Sequence, residues 1–225
     1  MQKNIERCRS GAELSAQEYL RRLQWQIADL YKGHELLSEV YWDQGRGARW
    51  VIGKPGDSNM VSEIIAGICG SLIVHGDCDT SRFAYYSGHP DAWSRLCWMG
   101  FCGDVGYYVA QKASIGMGRS GRGSDDYDER VAKHDLRDCI DDLKRSGFGQ
   151  DRQIAVLTDA LEQTEDERTL RSFLSENDRG WDLWKHSFGR VVSTPVITGH
   201  LALQRCAYLL LAKYGEEGPR GGTDG

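Results

Sequence analysis

No stretch of this 225-residue chain approaches the roughly 18 consecutive apolar residues of a membrane-spanning helix. Its opening MQKNIERCRSGAEL has no apolar core of a secretory signal. A cytosolic protein is the expectation. The seven cysteines (Cys8, Cys69, Cys78, Cys97, Cys102, Cys139, Cys206) are odd in number and follow no regular framework, so they read as reduced thiols, mostly small buried apolar groups. Basic charge is not in surplus either. The net charge is −5 and neither part of the chain carries the strong basic surplus of a typical nucleic-acid binder, so direct nucleic-acid binding is not expected. CxxC and HxxxH spacings are absent, the glycines of IGMGRSGRG follow no strand and carry no Lys-Ser/Thr, and no segment repeats. No metal and no cofactor are expected.

The acidic charge that is present is uneven. Asp125 to Asp182 holds 17 acidic and 9 basic residues, a charge of −8, leaving +3 for the rest. Such a region is either a solvated helical face or a surface that docks on a basic partner. The docking candidates are Asp125, Asp126, Asp128 and Glu129, joined by Arg119 and Arg122 of the glycine-rich segment. Trp25 joins them because it lies off its helix's apolar stripe, and exposed Trp and Arg concentrate in protein-binding hot spots.

Ser15 followed by Glu18 is the pairing of a capping box. Leu20, Leu23, Ile27, Leu30, His34, Leu37 and Tyr41 then fall three or four apart, which predicts one long helical face with a weak point at Gly33. Arg49 to Gly53, Ser71 to His75 and Arg82 to Tyr86 are short β-branched or aromatic runs separated by turn formers, and Met60 to Ile68 is either helix or strand. Connections this short predict an antiparallel meander, because a parallel crossover needs about a dozen residues. Pro90 predicts a helix over Asp91 to Met99, and Asp104 a second over Val105 to Lys112. Beyond the Gly/Arg/Ser segment the pattern is helical throughout, ending in a helix opened by Pro195 and apolar around most of its circumference. The expected fold class is α+β. Its parts are an N-terminal helix with a small antiparallel β-meander and two short helices over 1–114, a loop over 115–124, a helical region over 125–214 packing on the first in one compact unit, and a disordered tail over 215–225.

The sharpest chemical candidate is the turn His75-Gly-Asp77-Cys78-Asp79. A strand continuing through it places His75, Asp77 and Asp79 on one side, where they can act as acid and base or hold a divalent ion on a nucleotide or nucleic-acid substrate. The competing reading is a Gly-Asp turn at a strand end. Cys97 and Cys102 read as packing, and His34 and His200, each on an apolar helical stripe, as hydrogen-bonded core histidines.

The order of RWVIGKPG (Arg49 to Gly56), GSLIVHGD (Gly70 to Asp77), RFAYY (Arg82 to Tyr86) and GYYVAQK (Gly106 to Lys112) resembles a family of phage- and prophage-encoded accessory proteins. These carry a Gly-x-Leu-x-Ile/Val-x-Gly-Asp strand and turn followed by an aromatic strand and a helix. The resemblance covers residues 48–113. The family turn continues with a small residue, Gly and Thr, where this chain has Cys78-Asp79-Thr80-Ser81. The resemblance implies no catalytic residue. It implies a protein of the bacterial cytoplasm that binds and inhibits a host protein complex, most concretely a CRISPR–Cas effector.

Overall fold

The computed structural model describes residues 15–58, 61–68, 70–76, 79–83, 89–101, 113–115, 125–146 and 150–219. Ser15 caps α1 (Ala16–Leu30) by accepting the Glu18 amide at 3.1 Å. Leu23 and Ile27 bury the apolar stripe, but the helix stops at Leu30 and does not reach Tyr41. Gly33 lies in the left-handed region at φ +82°, and the His34 amide closes a turn onto the Tyr31 carbonyl at 3.1 Å. The helical spacing of Leu37 and Tyr41 is thus a coincidence on a strand. A residue that costs little at φ > 0 ends the helix, and the next eight residues pair sideways instead.

The chain forms two compact units, one of Arg21–Asp125 with Val192–Gly225 and the other of Met1–Leu20 with Asp126–Val191. The first contains an antiparallel meander in sequence order: β1 (Glu35–Trp42), β2 (Gly47–Gly53), β3 (Ser62–Ala66), β4 (Leu72–Gly76), β5 (Asp79–Phe83) and β6 (Ala113–Ile115). The β1–β2 turn runs through Asp43, Gln44 and Gly45, all at positive φ. Its register sets Trp42 opposite Gly47, where a β-carbon would fall 2.0 Å from the indole nitrogen. Only glycine lets the ring lie flat on the neighbouring strand.

Alternation along the strands sends Trp50, Ile52, Ile64, Ala66, Leu72, Val74 and Phe83 to one buried face. That face is covered by α2 (Ala92–Gly100) and α6 (Thr194–Tyr214). Asp91, not Pro90, starts α2, accepting the Ser94 amide at 2.7 Å. The α6 backbone comes close to β5 at Gly199, where a β-carbon would stand 2.9 Å from that of Ser81, and the Ser81 hydroxyl donates to the Pro195 carbonyl at 2.7 Å. Because α6 is apolar nearly all round, it belongs to the sheet unit and not, as the linear order suggests, to the acidic helices before it. Nor does the described part of the tail hang free. Gly215 ends α6 and Gly218 is buried against Trp93, whose ring would lie 2.1 Å from any β-carbon at 218.

His34 and His200 are both buried, as expected of core histidines. The His200 Nε2 lies 3.0 Å from the Met99 carbonyl. Burial outweighs that bond and holds the imidazole below its ordinary 6.5. In the unfolded chain the ring takes up a proton near pH 6.5 that the fold resists, so its contribution is full above that value and is lost as pH falls through the lower folded value. Urea denaturation at pH 7.5 and pH 5 should show stability falling between them, and His200→Gln should flatten that slope.

The second unit packs α3 (Glu129–Ser146), α4 (Asp151–Ala160) and α5 (Glu167–Asn177) around Leu136, Ile140, Leu157, Leu170, Leu174, Leu183 and Phe188. The two short strands β7 (Asp125–Tyr127) and β8 (Arg190–Val192) pair beside them. The Trp181 to Phe188 stretch, expected to be helical, holds only a short 3-10 turn over Leu183–Lys185 before β8, with Asp182 at φ 57°. The expected helix over 105–112 and the loop over 115–124 lie outside the described residues, except that Ile115 ends β6.

Candidate functional site

The His75 turn departs from its expected geometry. His75, the penultimate residue of β4, is exposed, and its Nδ1 lies 2.6 Å from the hydroxyl of Thr80, its cross-strand partner. Asp79 opens β5 opposite Gly76, so the chain has reversed and the strand does not carry Asp79 in line with His75. Asp77 and Cys78 lie outside the described residues. Among the described residues no group of His, Cys, Asp and Glu is placed to hold a metal ion. The half-buried Cys97 thiol is pushed up to about 11 by burial and by Asp91, which keeps it a thiol at neutral pH. Cys102 lies outside the described residues.

Part of the acidic set serves helix starts. Asp128 accepts the Arg130 and Val131 amides at 2.9 and 3.3 Å, and its carboxylate pairs with the Arg130 guanidinium at 2.9 Å. Burial opposes its ionisation, but Arg130 outweighs burial and holds the carboxyl below its ordinary 3.8. Glu129 pairs with Lys133 one turn on, at 2.7 Å. Asp166 caps α5 through the Thr169 amide, and Asp178 accepts the Trp181 amide. This part of the acidic surplus thus complements helix dipoles and forms pairs along helices. Asp125 opens β7 and Asp126 is exposed within it, whereas Arg119 and Arg122 lie outside the described residues. Trp25 is 77% exposed, in keeping with its place off the α1 stripe.

The sequence reading missed the arrangement with the most chemical content. In the helical unit an open groove of about 540 Å³ is lined by Glu167, Arg168, Arg171, Ser172, Ser175, Trp184 and Arg190. Helical spacing accounts for much of it: positions 168, 171, 172 and 175 share one face of α5, while Leu170 and Leu174 bury the other. The 3-10 turn presents Trp184, 37% exposed, with the Lys185 ammonium 5.4 Å from the ring centroid and held by Asp182 at 2.9 Å. From β8, Arg190 donates its Nε and Nη2 to one oxygen of Glu167, at 3.2 and 3.0 Å. Arg171 Nη1 lies 4.0 Å from the same oxygen. Three guanidinium groups against one carboxylate leave a formal charge of +2, whereas Asp125 to Arg190 as a whole, with 17 acidic and 11 basic residues, sums to −6. A narrower cleft continuing from the groove has Leu170, Leu174 and Phe188 among its walls. The α5 spacing was legible in the sequence, but Trp184 and Arg190 lie 9 to 23 residues from the α5 groove positions and join them only through the fold.

This is a binding geometry. It offers forked cationic donors, two hydroxyls and an indole, fixed on packed elements and suited to an anionic group beside a flat or apolar one. Comparison with protein-family models, with curated proteins and with solved structures finds no match to this chain.

Proposed function

We propose that the chain is a binding protein that acts by occupying a partner. In its most concrete form it is a phage or prophage accessory protein that inhibits a host complex, such as a CRISPR–Cas effector, in the bacterial cytoplasm. The observation that carries the binding reading is the groove of Arg168, Arg171, Arg190 and Trp184. These are the residue types that dominate binding energy at interfaces, and here they are gathered on rigid elements beside a shallow, open depression. The order of strands and turns over residues 48–113 supports the mobile-element setting. An enzyme built on His75, Asp77 and Asp79 is less well supported, since His75 is engaged by Thr80 and Asp79 sits across from Gly76.

The test is expression in bacteria that carry a CRISPR–Cas system directed against an infecting phage. The wild-type chain should restore plaque formation and co-purify with one stoichiometric partner. The double variant Arg168→Glu, Arg171→Glu should lose both while keeping its helical circular dichroism, and His75→Ala should keep both. Turnover of nucleotide or nucleic acid that His75→Ala abolishes would instead establish the enzyme.

A further inference from the structure

We propose that the arginine and tryptophan groove of the helical unit binds a phosphorylated nucleotide, its phosphate on the arginines and its base on Trp184. This rests on the reading of the groove as a recognition surface and names the chemistry of what enters it. The nucleotide is either free or one unit of a single strand.

Charge is the first argument. Glu167 shows how the site handles an anion: one carboxylate oxygen takes both donors of Arg190 and has Arg171 4.0 Å away. Arg168, exposed on the same helical face, adds a third guanidinium, and the formal charge of +2 matches a phosphate. The surrounding helices are acidic, so attraction is confined to this patch and only a few phosphates can be engaged at once. Shape is the second argument. The groove's volume of about 540 Å³ is within the range of small-molecule clefts, and it is open enough to admit a strand passing through. The third is the indole: Trp184 is partly exposed at the edge of the cationic row, and every base has a flat face to stack on it. A polycarboxylate such as polyglutamate brings charge without a ring, whereas a nucleotide carries both in one unit.

The test is fluorescence anisotropy of a labelled short oligothymidylate titrated with the full chain, with ATP, polyglutamate and a phosphotyrosine peptide as competitors. Binding is expected, weakened about tenfold or more by Arg171→Ala and about tenfold by Trp184→Ala. A net charge of +2 neutralises at most two phosphates, which predicts a slope of about −1.4 for log affinity against log salt. Arg171→Lys, which keeps the charge but not the fork, should fall between wild type and Arg171→Ala. Displacement by ATP at comparable concentration identifies free nucleotide as the source, and displacement by unlabelled strands alone identifies the strand. The proposal is overturned if the oligonucleotide fails to bind, if Trp184→Ala leaves affinity unchanged, or if polyglutamate or the phosphotyrosine peptide displaces the probe as readily as a strand does. If the oligonucleotide fails while partner capture still depends on Arg168 and Arg171, the ligand assignment falls and the recognition surface stands. If neither depends on them, both fall.

Discussion

Gly189→Ala should destabilise the helical unit by about 3 kcal/mol, because overpacking and a left-handed backbone each cost about 1–2 kcal/mol or more. Gly189 sits at φ +74°, between Phe188 of the core and Arg190 of the groove. A β-carbon there would fall 2.7 Å from the Ala132 methyl, 2.7 Å from the Tyr127 ring and 3.0 Å from the Asp128 carbonyl. Two of those three atoms are on rigid parts of the structure. The Gly189 backbone is also committed at both ends, its amide donating to Asp135 at 2.9 Å and its carbonyl accepting the Asp128 amide at 2.9 Å. Gly180→Ala is the control. That glycine, at φ +91°, has nothing within 4 Å of a β-carbon, so only the backbone penalty of about 1 kcal/mol applies. Thermal denaturation of the two variants separates steric overlap from backbone strain, and a drop of more than about 10 °C is expected for Gly189→Ala. Equal effects from both substitutions would show that the close packing around residue 189 contributes little.

The second large effect belongs to the sheet unit. Arg95→Met should cost about 3 kcal/mol, the upper end of what hydrogen bonds to a charged group contribute, because it removes a buried guanidinium that donates to three carbonyls. Arg95 is 2% exposed, yet its guanidinium is well supplied with acceptors. It donates from Nε to the Asp91 carbonyl at 3.0 Å, from Nη1 to the Gly67 carbonyl at 2.6 Å and from Nη2 to the Arg46 carbonyl. One side chain on α2 thereby fastens the β1–β2 turn and the connection after β3 to the helix start. The Ala92 amide adds a bond to the Gly45 carbonyl at 2.8 Å. Methionine fills the space but removes all three side-chain donors, and of the carbonyls Gly67 keeps the Gly70 amide at 3.1 Å and Asp91 the Ser94 hydroxyl at 3.1 Å. Arg95→Lys keeps the charge without the fork and should recover only part of the loss. Chemical denaturation followed by tryptophan fluorescence measures both. A change below about 1 kcal/mol for Arg95→Met would mean that the connections hold without it.

Much of the architecture was legible because local chemistry and fold agree. RWVIG and SLIVH are short β-branched runs between turn formers, and both are strands; Pro195 does open the last helix. Met60 to Ile68 was ambiguous because nine residues carry too little periodicity, and pairing on both sides made Ser62–Ala66 a strand. The false continuation of α1 to Tyr41 shows the opposite case. Leu37 and Tyr41 satisfy a helical spacing by chance, and the conformational freedom of Gly33 decided against it. The acidic start of the helical region reads as a docking face on charge alone, because charge carries no mark of where helices begin. Asp128 and Asp166 are N-caps, a role visible only once the helix boundaries are known. The groove was hidden for a related reason. A net −8 region does not advertise a cationic patch, and the partners of Arg168 and Arg171 come from a turn and a strand well downstream in the chain.

The most direct test of the groove as the recognition surface is site-specific photo-crosslinking in bacterial lysate. A photoreactive amino acid is placed either at Ser175 in the groove or at Arg82, on β5 near His75. The account predicts one discrete adduct from Ser175, diminished by raised salt and by Arg171→Glu, and none from Arg82. A discrete adduct from Arg82 with none from Ser175 would contradict it and move the functional surface to the sheet.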